Sequence, residues 1–240
     1  YEYKNVCRIL NETQLVVNGI QRTYSSSGIV QIVSVPVFTD AVITGTLTAA
    51  PWNGATGGVL AFECTETLLM NDNINLQGLG FRGGAVTTSP YECSWLFDQT
   101  DYFYSISSGE GAMKGEGVAL YITDKTGGRG AQANGGGGAN DHNGGGGGGA
   151  NASSGGMGGE RIKRSTFTCG SSSPGVGGKL MTYNNTLNSV FLGGGGGAGH
   201  ENNAATASAG ANGGGIVMIN TDTLIGNGNS ISVNGELITS

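Results

Sequence analysis

The chain is short of charge, proline, histidine and helical periodicity, and each shortage narrows what it can be. Only 12% of its 240 residues are charged, and the formal net charge is -6. Nucleic-acid binders gather Lys and Arg on one face, so nucleic acid is not an expected partner. The basic cluster Arg161-Ile162-Lys163-Arg164 reads as a solvated loop, with a processing or docking site as the alternative. Proline occurs four times and no Gly-X-Y period runs through the sequence, which excludes collagen. No stretch of apolar residues is long enough to span a membrane. No signal peptide is visible and the first residue is Tyr1, so a mature or excised segment is expected.

Catalytic signatures are scarce too. There is no G-x-S-x-G, no H-E-x-x-H and no Walker-type Gly-Lys-Ser/Thr, and the glycine runs lack the strand–loop–helix context of a nucleotide site. His142 and His200 are the only side chains of a type that serves as general base near neutral pH. Asp141-His142 and His200-Glu201 form a candidate metal pair, weighed against polar side chains that bond backbone groups at the ends of glycine segments. Cys7, Cys64, Cys93 and Cys169 carry no C-x-x-C, which argues against zinc and leaves two disulfides or four buried thiols. Asp40, Asp72, Asp98, Asp101 and Asp124 lack the spacing of a calcium loop. Calcium held by distant loops is the one cofactor left as a candidate. The expectation is a protein without catalysis.

What the chain has is glycine, 48 residues of it, against an average of about 7%. Hydrophobic residues reach 37%, too many for a disordered chain. Residues 127–159 hold 17 glycines in 33 positions, and residues 193–215 hold 10 in 23. The runs Gly135–Gly138, Gly144–Gly149 and Gly193–Gly197 are broken by Asn, Ala and His rather than by the serine of flexible linkers. Ordered polyglycine can form an extended left-handed helix of the polyproline-II kind, without internal hydrogen bonds. Its outward N–H and C=O groups must then find partners on neighbouring segments.

An internal repeat frames these tracts. Gly57-Gly58-Val59-Leu60-Ala61-Phe62 matches Gly214-Gly215-Ile216-Val217-Met218-Ile219. Leu68-Leu69 then matches Leu224-Ile225, Asn71-Asp72-Asn73 matches Asn227-Gly228-Asn229, and Ile74 to Gly78 matches Ile231 to Gly235. The register slips by one residue in the middle and recovers. Each copy reads as a buried strand, a turn and a half-buried strand, the unit of a stacked architecture. Further strands are predicted over residues 29–35, 42–44, 46–48 and 118–122, from β-branched and alternating apolar residues. Pro51-Trp52-Asn53-Gly54 reads as a turn.

The predicted fold is all-β, with sandwich-like or solenoid-like sheets and packed polyglycine-II helices; a right-handed parallel β-helix is the alternative. One glycine-rich β module spans 1–240: strand-rich 1–125, a glycine-rich core over 126–215 and closing strands over 216–240. Recognition is expected on loops of such a scaffold. The stretch 90–108 is the candidate, with Trp95, Phe97, Asp98, Asp101 and Tyr102 as ligand-binding residues because rings and carboxylates together suit sugars.

Ala50-Pro51-Trp52-Asn53-Gly54 with Gly57-Gly58-Val59-Leu60-Ala61 resembles a segment of large glycine-rich surface proteins of Bacteroidota. So do Gly78-Leu79-Gly80-Phe81-Arg82-Gly83-Gly84 and Lys114-Gly115-Glu116-Gly117, and the resemblance covers about residues 25–235. It implies cargo of type IX secretion, a class that often ends in a gliding-motility-associated or sorting domain. No sorting domain is visible, so the chain would be an internal portion. The glycine tracts also resemble, in kind, the polyglycine bundles of some phage tail adhesins and of a receptor-kinase ectodomain. Together these imply a structural or adhesive module at the cell exterior, whose partners are the secretion machinery, neighbouring surface domains or glycans. The rival functions are a carbohydrate-binding module and a passive stalk or cargo segment.

Overall fold

The computed structural model describes residues 1–25, 27–88, 101–108, 111–140, 143–160, 173–183, 189–201 and 208–238. Among them the protein is strand-rich, and its helix is a single 3-10 turn at Ile106–Ser108. The sheets are open rather than closed.

The repeat becomes a parallel pair. Strand β5 (Val59–Met70) lies beside β9 (Ile216–Ile225), and the matched residues face one another: Val59 with Ile216, Ala61 with Met218, Leu68 with Leu224. The slip seen in the sequence is a bulge between Cys64 and Thr67. Beyond the turn the register recovers, and β6 (Ile74–Asn75) pairs in parallel with β10 (Ile231–Ser232). On the other edge of β5 lie β3 (Val37–Phe38) and β4 (Ala41–Ile43), also parallel, while Leu47 bridges Ile74. Three tiers result, contributed by residues 37–47, 59–75 and 216–232.

A sheet with one face on a core needs apolar residues at alternate positions along each strand. Along β5 the even-numbered Phe62, Cys64, Leu68 and Met70 face inward and are buried with Ile43, Ile74 and Leu76. Leu47, Leu60, Leu79, Val217 and Ile219 close around them. Asparagines bind the turns of successive tiers: the Asn227 side chain donates to Asn71 Oδ1 at 3.0 Å, and Asn73 Oδ1 accepts from the Ser230 amide at 2.8 Å.

Between the second and third tiers the chain makes its glycine-rich excursion. The excursion's ends are tied together, Gly80 N–H donating to Gly213 O at 2.7 Å and Gly213 N–H to Phe81 O at 2.8 Å. Within it the runs Gly135–Gly138, Gly144–Gly149 and Gly193–Gly197 are neither α-helix nor strand. Their backbones bond one another instead. Gly136, Gly137 and Gly138 donate in turn to Gly195, Val176 and Gly128. Gly195, Gly196 and Gly197 donate in turn to Glu116, Ala211 and Gly147. Gly147 donates to Gly137, Gly148 to Gly156, and Gly178 to Gly148. Successive residues thus serve different neighbours, unlike a strand, whose alternate residues serve the same one. A Cβ built on Gly146 would overlap the Gly197 carbonyl, which is the close approach that glycine permits.

Two predicted strands do not pair. Residues 29–35 carry no strand and are mostly exposed, joined to β5 and its approach by Gln31 Oε1 (2.9 Å from Gly57 N) and by the following Pro36 O (2.9 Å from Glu63 N). Residues 118–122 have backbone groups met by side chains: Asn134 Oδ1 accepts from Val118 N at 2.8 Å and Gln132 Nε2 donates to Leu120 O at 2.8 Å. Alternation and β-branching mark a chain that fits a sheet, but they supply no partner strand. The N-terminal hairpin of β1 (Val6–Asn11) and β2 (Gln14–Val17) stands apart, with nearly every position exposed. Cys7 is an exposed and Cys64 a buried free thiol, while Cys93 and Cys169 lie outside the described residues.

Candidate functional site

Of the predicted ligand-binding residues, Trp95, Phe97 and Asp98 lie outside the described residues, as do Asp141 and His142. Asp101 and Tyr102 are exposed on a segment held by its main chain. Tyr104 exchanges two backbone bonds with Gly127, both at 3.0 Å, and Gly130 N–H donates to Tyr102 O at 2.9 Å. Asn140 Nδ2 donates to Asp101 O at 2.6 Å. With the backbone anchored, the rings face solvent: Tyr102 is 61% exposed and Phe103 51%. Each has a cation at its face. Arg129 Cζ lies 5.6 Å from the Tyr102 centroid and Lys125 Nζ 4.3 Å from that of Phe103.

Under this platform sits Lys114, which the sequence did not single out as a buried charge. Its side chain is almost wholly buried, and Nζ donates to Tyr102 O at 2.5 Å and Gly130 O at 2.6 Å. Burial lowers its pKa from 10.5 to about 8. Two carbonyls of different segments converge on one ammonium, so Lys114 fastens the Tyr102 segment to the glycine body. The Tyr121 hydroxyl donates to Lys114 O at 2.7 Å, and burial, with the Glu116 charge second, raises its pKa.

Trp52, in the turn before β5, is held by its own neighbours. Its Nε1 donates to Glu116 Oε2 at 3.2 Å, and its ring meets Phe81 edge-on at 5.6 Å. The same Oε2 accepts from Arg82 N at 3.1 Å and Nε at 3.0 Å, while Oε1 pairs with Arg82 Nη2. The bond to Glu116 holds the Arg82 pKa above its usual value. This cluster joins the turn before the second tier to the excursion.

Of the acidic residues that spacing left open as calcium ligands, Asp40 and Asp72 are engaged locally. Asp40 Oδ1 accepts from Thr67 N at 3.1 Å, and Asp72 Oδ1 from Thr46 Oγ1 at 3.1 Å. Among the described residues no three His, Cys, Asp or Glu side chains converge as a metal group would require. His200 and Glu201 are buried in β8 (His200–Glu201), which pairs in parallel with β7 (Thr87–Thr88). Among the described residues no helix is long and apolar enough to cross a membrane. Compared with protein-family models, curated proteins and solved structures, the chain matches none of them.

Proposed function

We propose that the chain is a non-catalytic structural and adhesive module of a secreted bacterial surface protein, with a solenoid-like β stack carrying a bundle of polyglycine-II helices. The observation that carries this reading is the main-chain lattice of the glycine tracts. Three consecutive residues bonding to three different neighbours fit a helix of three residues per turn, packed among like helices. Such a bundle spends its polar backbone internally and leaves its tips to present loops. The proposed location is the cell exterior, with type IX secretion machinery and adjoining surface domains as partners. Hydrogen exchange tests the scaffold. The amides of Gly136, Gly137, Gly147 and Gly197 are expected to exchange only with global unfolding. Exchange at free-peptide rates would make the tracts linkers.

The exposed rings of Tyr102 and Phe103, each backed by a cation, favour a second reading as a carbohydrate-binding module. An exposed ring on an anchored backbone offers a stacking face to a pyranose. A glycan array is expected to show binding that Tyr102→Ala abolishes at unchanged melting temperature. Binding that survives this substitution would move the site elsewhere.

A further inference from the structure

Among the described residues the tiered stack is open at both ends. Among the described residues β9 pairs only with β5, and β10 only with β6, so the third tier has a free parallel edge. At the opposite end β3 and β4 pair only with β5. Each free end carries an apolar cleft. One, of about 470 Å³, is floored by Val217, Ile219, Leu224, Ile231 and Val233 and walled by Tyr183 and Phe191. The other, of about 590 Å³, is lined by Phe38, Ala41, Ile43, Leu47 and Phe62. Unpaired edges and uncapped repeat ends invite further pairing.

We infer that the third-tier end of one copy receives the first-tier end of a second copy, head to tail. A parallel ladder is periodic along its stack, so a strand that pairs with β5 in parallel can pair with β9 by the same rule. The registers already present define the match. Ala41 stands beside Leu68, which stands beside Leu224; Phe38 stands beside Cys64, which stands beside Thr221; Leu47 stands beside Ile74, which stands beside Ile231. Translating the first tier onto the third puts small Ala41 over large Leu224 and large Phe38 over small Thr221, so the surfaces interdigitate. Leu47 then covers Ile231, which is 43% exposed. The contact joins two different surfaces, so it extends into a row rather than closing a two-fold dimer.

Two blocked variants test this. Leu224→Lys spoils the third-tier end and Phe38→Lys the first-tier end; both residues are about half exposed, and circular dichroism and melting curves confirm that each variant folds. Sedimentation of the unaltered chain at about 1–100 µM, the regime of modest interfaces, is expected to show concentration-dependent growth beyond a dimer. Each variant alone is expected to lose self-association by at least about tenfold. Mixed together they are expected to form a dimer and nothing larger, because each keeps the end that the other lacks. A monomeric unaltered chain over that range would mean that something else covers the ends, and would overturn the inference. So would a variant that dimerises alone, since that requires a contact of a surface with itself, or a mixture that stays monomeric.

Discussion

The tier stack and the glycine body solve one problem by opposite means. In the stack, side chains do the work: Leu68, Met70, Ile74 and Leu76 are almost wholly buried, and burial of apolar surface holds parallel strands whose backbone bonds run in one direction. In the glycine body the buried residues are Ala112, Ala139, Ala150 and Ala198, with Asn134 and Asn140 among the few larger ones. Apolar area is small there, and order comes from main-chain bonds made in several directions. Asn134 shows how the polar lattice is completed, its amide donating to Ala150 O and Leu192 O and its Oδ1 accepting from Val118 N. The lesson is that glycine supports rigidity where neighbours supply every donor and acceptor, and looseness where they do not.

The sharpest break of this comparison is to add volume to the lattice. Gly146→Val places a side chain against the backbone of Gly197 and Ala198, which cannot rotate away. Overpacking costs typically 1–3 kcal/mol and more against fixed backbone, so a melting-temperature drop of roughly 6–12 °C is expected for a loss of about 3 kcal/mol. Gly156→Ala is the contrast within the same lattice, because nothing lies within 4 Å of its added Cβ and its φ is outside the left-handed region. That substitution is expected to stabilise by about 0.4–1 kcal/mol through the unfolded chain. Equal melting temperatures for both variants would dissolve the distinction between lattice and linker.

A second test asks whether the two regions melt as one. Glu116 receives Trp52 from the stack side and Arg82 from the start of the excursion. Glu116→Ala strands the indole N–H and removes a charge-assisted pair, at a cost of about 1–3 kcal/mol. Calorimetry is expected to show one transition in the unaltered chain and a lower or split transition in the variant. An unmoved single transition would mean that the Gly80–Gly213 ties alone couple the regions.

How much of this was legible beforehand differs between the regions in the same way. The stack announced itself through spacing: apolar residues 157 positions apart recur in matching order, and even the bulge left a one-residue slip in the sequence. The glycine tracts revealed their need for close neighbours through the missing Cβ, but which tract bonds which depends on the path of the chain. Residues 29–35 and 118–122 misled because alternation records a face and not a partner. The joint at Glu116 and the burial of Lys114 left no mark, since a charged residue between glycines looks like solvent-exposed loop until its neighbours are placed. At the candidate site, Asp101 and Tyr102 are exposed, while the cations behind the rings of Tyr102 and Phe103 come from residues 22 to 27 positions downstream. Residues Trp95, Phe97 and Asp98 lie outside the described part.

The smallest expected effect concerns Lys114, where the two kinds of order meet in one side chain: an apolar stem and a head that completes a backbone lattice. In the unfolded chain its ammonium keeps its proton up to 10.5, whereas in the folded protein burial brings release down to about 8. Between those values the unfolded state binds more protons than the folded one, so this group adds stability as pH rises and withdraws it as pH falls through 8. Below about pH 7 both states are protonated and the contribution is flat at its lower level. Tyr121 acts in the opposite sense, since its raised pKa means that the unfolded chain ionises first, but only near pH 10 and above. The measurement therefore compares the unaltered chain with Lys114→Met from about pH 7 to about pH 9.5. The melting temperature of the unaltered chain is expected to gain about 2 °C or more on the variant over that interval. A constant difference would show that the ammonium keeps its solvation in the fold, and that the carbonyls of Tyr102 and Gly130 offset the whole cost of burying it.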